Sequence, residues 1–486
     1  MRTSFRRVSR GLTWAALATG ALLFTSSDAQ ASGYLTARFG ADHGTPAMPN
    51  TYAIYFNPAA IGGTSGTTIT GDAAVLLRWA RYTRDETALS PSQESLKDDE
   101  TYVGSNTGRA NLLNLLALPF LGVTTDFGGS KYFRAGYAAY VPFGGFATWD
   151  KRPIRYGVPG TEDGPQRWHN ISGEILAIYN TLAFAVKPTP RLSIGANVSP
   201  VFHTVATVRA RNPDGSDDTI VNGGLQEGRS LLTASGLNMS AALGVYYEAS
   251  DEWRFGLSYT SQPGFGTTKM TGELSTQLGS ANPGAPDKID FYQTYPDIIR
   301  FGTAWRPSQR FEMRADFEFV RWSVFDRQCV TRKDLPCDVA NDGLPLKDAA
   351  GNNGVILNVP RNWNNAIGAR VGPAYWLTDQ LELFGSLGIT TPAVPHKTID
   401  ASTIDSQRLY YTVGLRAELN RHWALGGSLN YIQFFDVDTK GTNDQNISAH
   451  PSDRGGGEYN ASRSPSADGV YRSHIGFVNL NVSYTF

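Results

Sequence analysis

From Phe477 to Phe486 the chain reads FVNLNVSYTF, and apolar and polar positions alternate without a break. Val478, Leu480, Val482, Tyr484 and Phe486 fall on one side and Asn479, Asn481, Ser483 and Thr485 on the other, because successive strand side chains point to opposite faces. The same rule sorts EWRFGLSYTS into Trp253, Phe255, Leu257 and Tyr259 against Arg254, Gly256, Ser258 and Thr260. In RFEMRADFEF, Phe311, Met313, Ala315, Phe317 and Phe319 oppose Glu312, Arg314, Asp316 and Glu318. Each segment predicts a strand with one greasy and one wet face. Two settings satisfy such a strand: a soluble domain with the apolar face on a core, or a barrel with the apolar face on lipid and the polar face lining a lumen.

The spacing of the turns favours the barrel. Short connections are predicted at 128–131, 187–191, 249–252, 306–310, 378–380 and 420–422. Between them come long polar loops near 83–110, 150–169, 211–228, 266–287, 326–360, 391–404 and 437–470. Regular alternation of tight and long connections is the pattern of an up-and-down transmembrane barrel with short periplasmic turns and long outer loops. From Thr67 to Phe486 the pattern predicts fourteen antiparallel strands, an all-β barrel whose two ends lie on the same side. It must close, since an open strand edge cannot face hydrocarbon with its amides unpaired. The last strand then pairs with the first, and its terminal aromatic sits where an interface girdle is expected.

The N-terminus supplies an export signal. Arg2, Arg6, Arg7 and Arg10 precede an apolar stretch, GLTWAALATGALLFT, and Ala29-Gln30-Ala31 offers small residues for cleavage. The stretch is too short for a spanning helix, which needs about twenty residues. Residues 1–31 therefore read as a signal peptide. Of 43 basic and 44 acidic residues, this leader removes the four arginines and Asp28, so the remainder is mildly acidic. No basic stripe survives, so no nucleic-acid partner is expected. Only Cys329 and Cys337 occur, closing a short polar loop. In an exported chain such a pair reads as a disulfide, worth about 2–3 kcal/mol through loop closure. With no histidine beside them they make a poor zinc site, and no metal or cofactor is expected.

Residues 32–64 precede the first strand, are rich in Gly, Ala and Pro, and contain Tyr55-Phe56-Asn57-Pro58-Ala59. Here the sequence resembles the FadL/TodX (OmpP1-type) family of outer-membrane transporters for long-chain fatty acids and aromatic hydrocarbons. The likeness continues through VPFGGFATWDK, NTLAFAVKPTPRLSIGANVS, SGLNMSAALGVYYEASDEWRFGLSYTS, PDIIRFGTAWRP, ADFEFVRWS and the last strand. Ala60 stands where the family usually has Gly. The resemblance implies a barrel over 65–486 plugged by a short hatch over 32–64, in the outer membrane of a Gram-negative bacterium. It further implies that Asn57, Pro58 and Ala59 form the hatch motif, and that a kink in the third strand opens a lateral exit.

Physics gives both places a reason. Asn favours side-chain-to-backbone hydrogen bonds and Pro fixes φ, so Asn57-Pro58 makes a stiff bend, either a stopper for the lumen or an ordinary turn. In the third strand, Tyr132 to Val141 alternates and is then interrupted by Pro142-Phe143-Gly144-Gly145. Pro cannot donate to the ladder and strand glycines mark bends or bulges. Either the wall is breached there or the strand has already ended. A breach suits an apolar cargo: each methylene exposed to water costs about 0.8 kcal/mol, so release sideways into bilayer avoids a penalty that release into the periplasm incurs. Passive, ligand-gated diffusion of a hydrophobic small molecule follows, with outer-membrane lipid as the receiving phase.

Strand parity points Arg300, Arg314, Arg370 and Arg416 inward, with Glu312, Asp316, Glu318 and Glu418. An inward Arg can clamp a carboxylate bidentately; charges of mixed sign can equally pair and brace the barrel. An enzyme would need a nucleophile oriented by a base, but no G-x-S-x-G elbow occurs, and His43, His203 and His474 are scattered. No enzymatic activity is expected. The rival readings are a general porin, which lacks an N-terminal plug, and an adhesive surface barrel. Nothing calls for an oligomer, so a monomer is expected.

Overall fold

The structure is a computed structural model describing residues 38–221, 223–279, 284–341, 343–347, 351, 354–443 and 460–486. Residues 1–31, which the sequence reads as a signal peptide, and residues 32–37 lie outside the described residues.

Alternating segments become the staves of one closed antiparallel barrel. In chain order these are β1 (Thr67–Arg84), β2 (Gly108–Thr125), β3 (Phe133–Thr148), β4 (Ser172–Thr189), β5 (Leu192–Arg211) and β6 (Gly228–Glu248). Four interrupted staves follow: β7 (Trp253–Thr260 and Thr267–Gln277), β8 (Asp287–Thr294 and Ile298–Ser308), β9 (Phe311–Val320 and Arg327–Arg332) and β10 (Val355–Pro360 and Ala366–Thr378). The ring is completed by β11 (Leu381–Thr390), β12 (Arg408–Glu418), β13 (Trp423–Phe434) and β14 (Gly469–Thr485). Fourteen staves result, each paired with its sequence neighbour. The seam closes in register from Thr68↔Thr485 to Arg84↔Gly469.

The predicted loops at 266–287 and 326–360 are too long. Thr267–Gln277 and Asp287–Thr294 pair with each other, and Arg327–Arg332 pairs with Val355–Pro360. These pieces carry β7 to β10 beyond the apolar band. Their outward positions are polar, Thr267, Lys269, Thr271 and Glu273 on β7 for example, so the lipid-facing pattern vanishes while the backbone ladder continues. Hydrogen bonding, not amphipathicity, extends a strand above the membrane.

Outward rows are apolar and exposed: Leu77 on β1, Leu113 and Leu115 on β2, Leu243 on β6 at 63%, Leu257 on β7 and Leu480 on β14 at 60%. Such a continuous belt on a water-facing surface would be an aggregation hazard; against lipid it needs no cover. At the end of the barrel carrying the tight turns, Trp423, Tyr484 and Phe486 pack edge to face at 4.7 and 4.8 Å. This is where the C-terminal alternation places its girdle.

Candidate functional site

Residues 38–64 lie inside the ring, almost wholly buried, as short helical turns. Asn57 anchors them. Its Nδ2 donates to the carbonyls of Pro46 (2.9 Å) and Val245 of β6 (3.0 Å), and its Oδ1 accepts from the Ala59 N–H (3.1 Å). Pro58 then opens a 3-10 turn, Pro58–Gly63, where its missing N–H costs nothing. The wall is shaped to receive this bend. A Cβ on Gly244 would lie 1.9 Å from Asn57 Oδ1, and one on Gly256 would lie 1.9 Å from the Pro46 carbonyl, so only glycine permits the approach. Asn197 donates to the Ile54 carbonyl (2.8 Å) and Ser258 to that of Phe56 (2.6 Å).

Three of the four inward arginines are committed to this packing. Arg300 pairs with Glu318 (2.6 Å), donates to the Tyr55 hydroxyl (2.7 Å) and lies 4.4 Å over its ring. Arg314 bridges Glu312 and Glu382, each at 2.7 Å, and Glu382 also meets His43 at 3.0 Å. Arg370 reaches Asp42 at 3.3 Å. Arg38 holds Asp316 through two bonds of 3.0 Å. Arg416 is half-buried with no hydrogen bond or ion pair among the described residues, and Glu418 is exposed. The lumenal charges thus fasten the N-terminal segment to β8, β9, β10 and β11.

The second feature is the wall between β2 and β3. Register runs from Thr125↔Ala135 to Phe120↔Tyr140 and stops there. On the other side, β3 remains paired with β4 throughout, but with a shift between Tyr140 and Phe143. Pro142-Phe143-Gly144-Gly145 is therefore inside the strand, at a bulge, rather than beyond its end. Val141 and Phe143 are buried. A Cβ on Gly144 would meet Val141 Cγ1 at 2.9 Å and Leu118 Cδ2 at 3.7 Å. Pro119 on β2 and Pro142 on β3 both lack a donor, so each side of the gap is short of an N–H. Contact resumes higher up through a side chain: Asn114 exchanges two hydrogen bonds with the Thr148 backbone, both 3.1 Å. Sequence reading missed Asn114 and Pro119; the proline inside an apolar strand was the available signal.

Gly145, Phe146 and Ala147 border a lumenal cavity of about 790 Å³, part of it open to solvent. Its apolar wall includes Ile175, Val205, Leu232, Phe291 and Val330, and Arg78 and Arg361 also face it. Phe143 continues the apolar lining below, 5.7 Å from Tyr295 and 6.0 Å from Trp322. His203 packs tilted against Tyr295 at 4.8 Å, while His474 on the outer face stacks with Trp79.

The outer loops close over this space. Arg84 pairs with Asp217 (2.7 Å) and donates to the carbonyls of Ala88, Asn106 and Ser466. Arg167 grips both oxygens of Glu227 (2.8 and 3.0 Å). Burial alone would raise the Glu227 carboxyl, but Arg167 and Arg229 hold it below the usual range. Cys329 on β9 is bonded to Cys337 in the loop that follows.

The sequence matches the family described as outer membrane protein transport protein (OMPP1/FadL/TodX) over residues 11–471. Among solved structures, a FadL homologue of Pseudomonas aeruginosa is 15% identical, covers 95% of this chain and 99% of its own, and superposes with a TM-score of 0.69. The Pseudomonas putida toluene transporter TodX gives 14% identity, 94% and 99% coverage and a TM-score of 0.61. The Ralstonia pickettii toluene transporter TbuX gives 14%, 90% and 94%, and 0.56. No curated protein matches. At such identities the structural likenesses show the fold.

Proposed function

The chain belongs to the OMPP1/FadL/TodX family of outer-membrane transport proteins, and from that premise we propose that its cargo leaves sideways, through the unpaired stretch between β2 and β3. That the protein is an outer-membrane channel for hydrophobic compounds, and a transporter rather than an enzyme, follows from the family. The rest of this reading goes further. Residues 32–64 act as the hatch, with Asn57, Pro58 and Ala59 as its pivot, and loops over the cavity capture the ligand. Cargo descends to the apolar wall beside Phe146, and Pro142 to Gly145 form the exit. TodX and TbuX carry toluene; whether this chain takes a hydrocarbon or a fatty acid, the same energetics apply.

The single observation supporting lateral exit is the end of the β2–β3 register at Phe120↔Tyr140 beside a cavity bordered by Gly145, Phe146 and Ala147. An apolar molecule there avoids the water it would meet below the hatch, and each buried methylene adds about 0.8 kcal/mol to that preference. Filling the bulge tests it. Gly144→Leu with Gly145→Leu should abolish growth of an uptake-deficient host on a hydrophobic carbon source, while the protein still shows the heat-modifiable migration of a folded barrel. Undiminished growth with a folded variant removes lateral exit and leaves the hatch as the only way out.

A further inference from the structure

On its outward face the barrel carries a basic cluster at the seam. Above Leu77 the outward row of β1 continues with Trp79 and Arg81, and the register sets Arg81 opposite Arg472 of β14 and Trp79 opposite His474. Arg109 of β2 follows diagonally, opposite Thr83. Like charges directly across a strand pair repel, yet a single carboxylate reaches these arginines: Asp436, at 2.8 Å from Arg472. Arg81 donates to Asn111 (3.1 Å) and lies 5.0 Å over the Trp79 ring, and neither it nor Arg109 has an ion-pair partner among the described residues. Asp85, past the end of β1, faces Lys440 instead, at 3.9 Å. Arg81 thus leans toward β2 and Arg472 toward the loop after β13, leaving a positively charged gap between them.

Beneath that gap lies an aromatic floor. Trp79 stacks on His474 at 5.6 Å, His474 stacks on Tyr431 of β13 at 6.0 Å, and the Tyr431 hydroxyl hydrogen-bonds the His474 ring at 2.9 Å. Rings of this kind mark the boundary between hydrocarbon and headgroups. The arginines occupy the next outward positions above it, at headgroup level, on the side of the long loops. Immediately below, Gly476 lies in register between Leu77 of β1 and Tyr431 of β13, and a Cβ placed on it would meet nothing within 4 Å. The wall is therefore grooved there, open to a chain lying along it. We infer that this seam binds a phosphate-bearing lipid of the outer leaflet, with Arg81, Arg109 and Arg472 around the phosphate and an acyl chain in the groove at Gly476. Guanidinium forks match phosphate oxygens, and a phosphate between Arg81 and Arg472 relieves the repulsion that the register builds in. A free anion would use the arginines but not the groove, so the lipid is the occupant. The site is on the outside of the wall and does not depend on the cargo or its exit.

The test uses the full-length protein in a nonionic detergent, with native mass spectrometry reading the lipid it retains from bisphosphorylated lipid A and from the same lipid stripped of its phosphates, and with inorganic phosphate as competitor. Wild type should retain lipid A at least about tenfold more tightly than the dephosphorylated form, the worth of a charge-assisted hydrogen bond, and inorganic phosphate should displace it only in large excess. Arg81→Gln with Arg472→Gln should erase that preference, and Arg81→Lys with Arg472→Lys should keep part of it. Gly476→Leu, which fills the groove, should weaken both lipids and leave their ratio unchanged. Equal retention of the two lipids by wild type overturns the assignment, and so does a phosphate preference that survives in a folded double glutamine variant. Displacement of lipid A by equimolar inorganic phosphate, or unaltered lipid retention in Gly476→Leu, reduces the seam to a plain anion site and overturns it as well. Should the double variant fail to assemble, the wild-type ratio and Gly476→Leu decide.

Discussion

Asn114 stands in for a stretch of β-ladder: its Oδ1 accepts from the Thr148 N–H and its Nδ2 donates to the Thr148 carbonyl, both at 3.1 Å. Above the level of Tyr140, where the ladder ends, this one amide and the bond from the Asp150 N–H to the Asn111 carbonyl (2.9 Å) tie β3 back to β2. A side chain can release such a contact by a rotamer change, which a ladder cannot do. Asn114→Leu deletes both of these bonds to the Thr148 backbone, at a cost of about 1–3 kcal/mol. Amide exchange at Thr148 should accelerate in that variant while exchange in β5 and β6 stays slow. Unchanged exchange at Thr148 would show that the amide is not a latch.

Removing the Asn57 side chain should free the lumenal segment rather than unfold the barrel. Asn57→Ala deletes the bonds to the Pro46 and Val245 carbonyls and the support of the Ala59 N–H, again about 1–3 kcal/mol per group left unsatisfied. The barrel ladder is untouched by this change. Single-channel recording in planar bilayers should then show ion-conducting openings that wild type lacks, at an unchanged thermal midpoint. A silent Asn57→Ala channel would mean that the pairs Arg38–Asp316, Arg370–Asp42 and His43–Glu382 and the Arg300–Tyr55 hydrogen bond suffice to hold the segment.

Period-two patterning made the ring legible because lipid on one side and a wet lumen on the other impose the same alternation on every stave. It gave the inward placement of Arg300, Arg314 and Arg370 and the outward row ending at Phe486. It could not say which inward charges already have partners. Arg314 meets Glu312 two residues away on its own strand, but also Glu382 from β11 and, through it, His43 of the lumenal segment; those encounters depend on the path of residues 38–64 through the lumen. The upper pieces of β7 to β10 escaped notice because they leave the membrane, and with it the alternation.

The disulfide makes a plain chemical prediction. Intact mass of the purified protein should show no thiol available for alkylation until a reductant is added, since Cys329 and Cys337 are the only cysteines and are bonded to each other. Cys329→Ser should lower resistance to denaturant by about 2–3 kcal/mol, the loop-closure contribution of a short bridge. The loss should be local, because the closed loop follows the outermost piece of β9. Two alkylatable thiols in unreduced protein would remove the bridge.

Acid should loosen the outer cap before it affects the barrel, and His169 sets the pH. This imidazole lies buried in the loop between β3 and β4; burial pushes it down to about 4, Arg84 and Arg209 push the same way, and Asp400 opposes them. In the undocked loop the value returns to about 6.5. Between these values the undocked loop holds a proton that the docked one does not, so docking is fully supported above about 6.5 and loses that support as pH falls toward about 4. The neighbouring Asp400 gives way later. Burial would raise its carboxyl, but Arg361 at 2.8 Å and His169 hold it at about 2, so its support is complete above about 4 and fades only below that. Protease cleavage in the outer loops should therefore rise between pH 7 and pH 5, and His169→Gln should flatten that rise. A pH dependence that persists in His169→Gln would assign the effect to another group.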